Sequence, residues 1–388
     1  MDFSNKTINL LALHSGIQRF SGNIFNTFSA VYFLSIGISF PIIAMTWAGD
    51  CILRGILRPL SLLLSEKIGL KRALIFGVFV GSGIFLVISK VNGVNSWLYF
   101  YIFYLAICDI TYWLPFHSYY AIAGDNSSRG KQVATMIGFI TILQMTAPLI
   151  GGILITKLGF LSLYIAAMII MLLSIFPLFF ARDIKPGKPI HFKNAIKTID
   201  KRGMVLQAGA GILSIHSFVW TIVLYYLVRN YVTFGGLVTF ELFITVALAI
   251  LLGYLIDKGN GKRIISIGLI ITGIVIISRA FFITTMPSII IIDIILAFGT
   301  MFYSSSFEVG LYNIAKQSEN TLWFNFFGEL GWDIGAGLSF VLVAGFFTLG
   351  VPLRYLIVFS LPGLFAVYYV LNQFYLTNQV GKKENYLK

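Results

Sequence analysis

The sequence is short of charge. Asp, Glu, Lys and Arg make up 11% of its 388 residues, while 58% are hydrophobic. A soluble globular domain carries roughly 25% charged and about 45–50% apolar residues, so this composition excludes an ordinary water-bathed surface. Cysteine and histidine are scarce too. Cys51 and Cys108 both fall in long apolar runs, which excludes a disulfide framework. The four histidines, His14, His117, His191 and His216, show no metal-ligand spacing, so neither a metal nor another cofactor is expected. No nucleotide-binding P-loop occurs, and no Gly-x-Ser-x-Gly or His-Glu-x-x-His motif. Neither ATP-driven work nor the common hydrolase chemistries are therefore expected, and the chain is not read as an enzyme. The first residues, MDFSNKTINL, lack the basic start and the small-residue cleavage site of a secretory signal.

Long apolar runs are what the chain does have, and its mean hydropathy is +0.88. Twelve windows recur, at about 9–36, 40–64, 70–91, 96–121, 132–157, 160–181, 204–228, 232–256, 263–284, 288–314, 323–349 and 353–376. Each is long enough, as a helix, to cross a hydrocarbon core of about 30 Å. Runs of this length are too long for strands, and in lipid every backbone group must be satisfied within the protein. The expectation is an all-α membrane protein with twelve transmembrane helices.

The net charge of +13 is topological rather than a nucleic-acid footprint. With the N-terminus in the cytoplasm, cytoplasmic loops and tails hold 20 of the 28 basic residues, including seven between 182 and 202. This positive-inside bias puts both termini in the cytoplasm of a multi-pass protein of the inner membrane. The partners expected are the lipid bilayer, a small-molecule substrate and protons, with no nucleic acid, and the chain is read as a monomer.

The one long polar stretch between apolar runs is 182–203, RDIKPGKPIHFKNAIKTIDKRG. It reads as a cytoplasmic linker, with 192–200 a short interfacial helix, between bundles at 1–181 and 204–388. The two parts repeat at an offset of 191 residues. Glu66-Lys67 falls on Asp257-Lys258, Lys71-Arg72 on Lys262-Arg263, Tyr112 on Tyr303 and Phe116 on Phe307. Asp50 falls on Glu241, so each half places an acid at the same point of its second helix. A charged set in one register implies two pseudo-symmetric six-helix bundles, with a site between them at the membrane midplane.

Residues 253–263, GYLIDKGNGKR, resemble the loop signature of the major facilitator superfamily. Gly253, Asp257, Lys258, Gly261, Lys262 and Arg263 carry it, with one extra residue before Gly261. The first-half copy, LLLSEKIGLKR, keeps Glu66, Lys67, Gly69, Lys71 and Arg72 but has Leu62 in place of the leading glycine. The resemblance implies alternating access, with Asp257 and Glu66 facing helix N-termini to latch the cytoplasmic side. TAPLIGGIL at 146–154 is similar to a helix-5 motif of proton-coupled exporters in that superfamily. Pro148, Gly151 and Gly152 are kept and Ala147 replaces a glycine. As plain chemistry, the same residues make a close helix crossing in lipid. The exporters' helix-4 arginine is replaced by Asp109.

Charges at membrane depth are costly and are functional candidates by default. Asp50, Asp109, Glu241, Asp293, Glu308, Glu329 and Asp333 lie in apolar runs, as do Arg19, Arg54, Arg58 and Arg279. Asp50, Arg54 and Arg58 share one helix face at i, i+4 and i+8. Glu241 has only apolar neighbours along its helix and is the first choice for proton carrier, with Arg19 or Arg54 as rival partners across the bundle. His117 and Glu308 occupy matching places in the repeat and are expected to meet across the pseudo-twofold axis. Glu329 and Asp333, at i and i+4, repel unless one is protonated or paired. His14, Gln18, Arg19 and Asn23 form a polar stripe expected to line a cavity, with Arg19 able to bind an anionic group. Arg279, near a helix end, is expected to snorkel. The sequence thus reads as a proton-coupled secondary transporter of a small solute. The helix-5 motif tilts the direction toward export. Nutrient uptake is the runner-up, and a non-transporting sensor of the same fold is the alternative from another class.

Overall fold

The computed structural model describes residues 5–124, 129–186, 200–256, 261–283 and 285–386, and among them there is no strand. Twelve helical spans follow in chain order. They are α1 Lys6–Ser35, α2 Phe40–Ile68, α3 Leu70–Ile88, α4 Ser96–Ala123, α5 Met136–Leu158 and α6 Phe160–Phe179. After the linker come α7 Lys201–Val228, α8 Tyr231–Ile256, α9 Gly261–Phe281, α10 Met286–Gln317, α11 Thr321–Thr348 and α12 Leu353–Tyr375. Eleven are long and apolar enough to cross a bilayer; the exception is α1. His14, Gln18, Arg19, Asn23 and Asn26 interrupt its apolar run. At 30 residues α1 is nevertheless long enough to span, and it packs on α5 and α6.

Local sequence explains the joints. Asn95 and Asn320 accept hydrogen bonds from the first free amides of α4 and α11, and Thr285 does so for α10. Pro148 and Pro177 sit in the first turn of new helical segments within α5 and α6, where a missing N–H costs nothing. Gly69, at φ 83°, turns the chain between α2 and α3, a conformation that a side chain resists. The expected interfacial helix at 192–200 falls almost wholly outside the described residues; Asp200 itself caps α7 by accepting from the Arg202 amide.

The packing repeats. In the first half α1 lies on α5 and α6, α2 on α4, and α3 on α4; in the second α7 lies on α11 and α12, α8 on α10, and α9 on α10. Each pattern is the other advanced by six helices. Two seams join the bundles, α2 along α11 and α5 along α8, and the same shift exchanges them. The fold is two pseudo-symmetric six-helix bundles packed face to face.

Backbone contact replaces side chains where helices cross most closely. A Cβ on Gly331 would stand 2.3 Å from the Met204 carbonyl oxygen, and one on Gly335 2.2 Å from that of Ala208, so α7 and α11 touch main chain to main chain. At the α5–α8 seam a Cβ on Gly152 would meet the Tyr231 carbonyl at 2.3 Å and one on Gly235 the Pro148 carbonyl at 2.2 Å. Lipid gives helices no hydrophobic reason to associate, so such close approach carries much of the cohesion. Gly335→Ala should therefore lower the stability of the detergent-purified protein by about 1–3 kcal/mol. Gly138→Ala, where nothing lies within 4 Å of the new methyl, should cost nothing. Thermal unfolding of the two variants side by side checks this.

Candidate functional site

Three cavities, of about 410, 240 and 540 Å³, open inside the molecule; both bundles line the last two, and the second half alone lines the first. Trp332, from α11, lines all three. The largest holds Asn23, Asp50, Arg54 and Asp109 from the first half. The second in volume holds Glu241, His216 and Glu308 from the other half. The smallest lies between them, with Arg19, Arg54, His117, Gln207, Glu308 and Glu329 on its walls. Asp50 and Glu241, the matched acids of the repeat, thus both border the interior space rather than lipid.

A network of ion pairs spreads from α2. Arg54 reaches Asp109 of α4 through Nη1 at 2.7 Å, Asp333 of α11 through Nε at 3.0 Å, and Asp50 at 3.4 Å. Arg58 donates through Nε to Asp333 Oδ2 at 2.9 Å, contacts the same oxygen through Nη2, and reaches Glu329 at 3.5 Å. Arg58 is 1% exposed and Asp333 4%. The repulsion expected between Glu329 and Asp333 is thus met by pairing: both face α2 guanidinium groups across the seam. Four carboxylates share two guanidinium groups here, and Asp50 Oδ1 and Asp333 Oδ1 have no hydrogen-bond donor. Fully ionised, the cluster would hold a net −2, which a low-dielectric interior penalises heavily.

The second half builds its own network from different positions. Arg279 donates to Asp293 Oδ1 at 2.6 Å and lies 3.6 Å from Glu241 Oε2. Its Nη1 is 3.0 Å from His216 Nε2, which must accept because guanidinium has no acceptor. The guanidinium carbon sits 4.2 Å from the centroid of the Trp220 ring. Arg279 is 2% exposed, which corrects the snorkelling expectation: the group turns inward to acids of α8 and α10. Glu241 is correspondingly paired with Arg279, rather than with Arg19 or Arg54. A usable signal was present, since Arg279 and Asp293 flank the α9–α10 turn and so lie at similar depth. The repeat-matched acids Asp50 and Glu241 each end beside a buried arginine, one from its own helix and one from a neighbour. Asp109 and Glu241 keep the most accessible side chains of the two networks, at 26% and 25%.

His117 finds other partners than expected. Its Nδ1 is 3.0 Å from the Tyr312 hydroxyl and its Nε2 is 3.5 Å from Glu329 Oε1. Tyr312, one turn beyond Glu308, is bonded to both residues: Glu308 makes no ion pair with His117 among the described residues, but it borders the same cavity, is near enough to act on His117 electrostatically, and accepts from the same hydroxyl. The α1 stripe also divides. Arg19 and Asn23 face cavities, whereas His14 is fully buried against α6, with Nδ1 2.8 Å from the Ser174 carbonyl oxygen. Packing and not charge pattern decides that split, so only the structure separates them.

The bundles meet differently at their two ends. On the side of the termini hydrogen bonds join the bundles, Asn325 donating to Ser118 at 3.2 Å and Lys316 to the Gly124 carbonyl, beside one ring contact of Tyr120 on Tyr312. On the far side they are aromatic, with Phe40 on Phe347 at 4.9 Å, Trp47 on Phe218 at 5.3 Å and Phe28 on Phe234 at 5.5 Å. Pro148 and Gly152 form the close crossing with α8 described above, and Gly151 packs beneath Phe28. In the first loop signature Lys71 donates to the carbonyls of Phe179 and Ala181, closing the end of α6, and Arg72 lies 3.9 Å from Asp183. Lys67 is exposed, and Glu66 has no hydrogen-bond or ion-pair partner among the described residues. In the second copy Asp257 and Lys258 lie outside the described residues, as does the Gly253 environment; Arg263 is exposed.

Removing Arg279 leaves the buried Asp293 and the partly buried Glu241 without their shared cation. Arg279→Met should destabilise the protein by about 3–5 kcal/mol, as loss of one partner of a buried pair does. Adding Asp293→Leu to that variant should recover a large part. Thermal unfolding of wild type, single and double variants decides it; a snorkelling arginine would give a small loss and no recovery.

Comparison with known proteins agrees with this geometry. No curated protein matches the sequence. The fold is similar to that of the human organic anion transporter MFSD10 (TETRAN), at TM-score 0.70 and 8% identity, over 96% of this chain and 100% of that one. It is also similar to the E. coli fucose:proton symporter FucP, at TM-score 0.69 and 12% identity, over 95% and 98%. Residues 11–339 match the Major Facilitator Superfamily as a whole, and the chain belongs to that superfamily of membrane transporters.

Proposed function

We propose that the chain is a proton-coupled secondary transporter that carries a small solute across the cytoplasmic membrane, with both termini in the cytoplasm. One observation carries this reading: the interior networks hold more carboxylates than guanidinium groups. Arg54 and Arg58 serve four acids, and Arg279 serves two. Protons are the simplest compensation for the excess, and a carboxyl that gains one releases its arginine. Glu241 and Asp109, the most accessible acids of their networks, are the proposed entry points for protons, with Asp50 and Asp333 behind Asp109.

Protonation connects to motion through the α2–α11 seam. The Arg58 contacts to Asp333 and Glu329 tie one bundle to the other, as do those of His117. Neutralising these acids weakens the polar end of the interface and lets the cytoplasmic side part, while Arg19, Arg54 and Glu308 face the solute. The resemblance of residues 146–154 to exporter sequences supports export. Symport in the uptake direction is the second reading, supported by likeness in fold to a fucose:proton symporter.

In sealed vesicles, solute addition should drive proton movement with wild-type protein. Glu241→Gln should slow it at least about tenfold, equivalent to 1.4 kcal/mol in the barrier. Unchanged flux in that variant removes Glu241 from the mechanism, and a wild type that moves no proton with any solute turns the reading toward a sensor.

A further inference from the structure

The interior charges leave a remainder. Seven acids and four arginines lie in the spans. Asp50, Asp109, Glu241, Asp293, Glu329 and Asp333 all enter ion pairs, as do Arg54, Arg58 and Arg279. Arg19 and Glu308 enter none among the described residues. Arg19 Nε and Glu308 Oε2 are buried atoms without a hydrogen-bond partner; the Glu308 carboxylate does accept from the Tyr312 hydroxyl, a neutral group that brings no compensating charge. The two are of opposite sign, come from opposite bundles, and line the same cavity of about 240 Å³ without pairing to each other.

Resting on the transport reading above, we propose that the substrate is a small zwitterion, its anionic end held by Arg19 and its cationic end by Glu308. The argument is one of charge balance. An anion alone would satisfy Arg19 and leave Glu308 without a counter-charge. A cation alone would leave Arg19. A molecule carrying both charges answers both groups at once and adds no net charge to a low-dielectric space, where an unpaired ion is expensive. The guanidinium fork suits a carboxylate in two-point contact. Arg19 is held over the Trp113 ring, 5.4 Å from its centroid, so its position is set before a ligand arrives. Gln207 and Trp332 supply a polar and an aromatic wall for the body of the molecule. The volume is below the roughly 300–1,000 Å³ typical of drug-sized pockets, which fits a solute of amino-acid size. Because α1 and α10 belong to different bundles, such a ligand also bridges the two halves.

Affinity measurements on the purified full chain in detergent test this without any gradient. The probes are the twenty free L-amino acids with their N-acetyl and carboxamide derivatives, followed by thermal shift and calorimetry. At least one free amino acid should bind, with its N-acetyl and carboxamide forms at least about tenfold weaker. Arg19→Gln should weaken the free and the N-acetyl forms together. Glu308→Gln should weaken the free form but leave the N-acetyl form as wild type binds it, a pattern that misfolding does not produce. The proposal is overturned if no panel member binds, if a singly charged derivative binds as well as its parent, or if both variants keep wild-type affinity. Proton flux separates the two readings. Zwitterion binding without coupled flux would sink the coupling alone, and flux driven by a neutral solute would sink the zwitterion alone.

Discussion

Arginine on α2 is the constraint around which the bundles are arranged. Arg54 and Arg58 draw acids from α4 and α11 into one buried network, and the α11 contacts cross the boundary between halves. In lipid no solvent screens such groups, so an arginine that loses its partners becomes strongly unfavourable. The network therefore fixes the register of α2 against α11 and ties that register to the protonation of the acids. Hydrophobic burial alone would do neither, since lipid and a leucine face are equally apolar to a neighbouring helix.

The fold was largely legible in the sequence and the site only in part. Apolar run length, basic loops and the 191-residue offset point to helices and bundles, and the loop signature at 253–263 resembles the family's, because each is a one-dimensional signal. The face shared by Asp50, Arg54 and Arg58 follows from helical spacing and holds in three dimensions. Partners across helices do not follow, because they depend on how each helix is rotated. Glu329 and Asp333 look like a repelling pair along their helix, yet Arg58 of α2 pairs with both. Glu241 looks isolated in its helix, yet Arg279 arrives from α9. His117 and Glu308 match in the repeat, but the hydroxyl of Tyr312 is the partner they share.

Pseudo-symmetry in the backbone is thus matched by only approximate symmetry in charge. Each half sets an acid at the same place on its second helix and meets it with a buried arginine. One half draws that arginine from the same helix, the other from the next helix along. Repeat sequence alone would place a second Arg54 at Thr245, where there is a hydroxyl bonded to the Glu241 carbonyl instead. The two halves therefore have room for different tasks within one architecture.

The contrast between the ends of the interface has a thermal consequence. Ring-on-ring closure such as that of Phe40, Phe347, Trp47 and Phe218 removes apolar surface from water, an effect that weakens on cooling. The hydrogen bonds and charges at the opposite end lack that signature. Chilling should thus favour the shape in which the aromatic end stands open, and warmth the shape in which it is shut. A carrier assembled in this way has its resting orientation set in part by the temperature of its membrane.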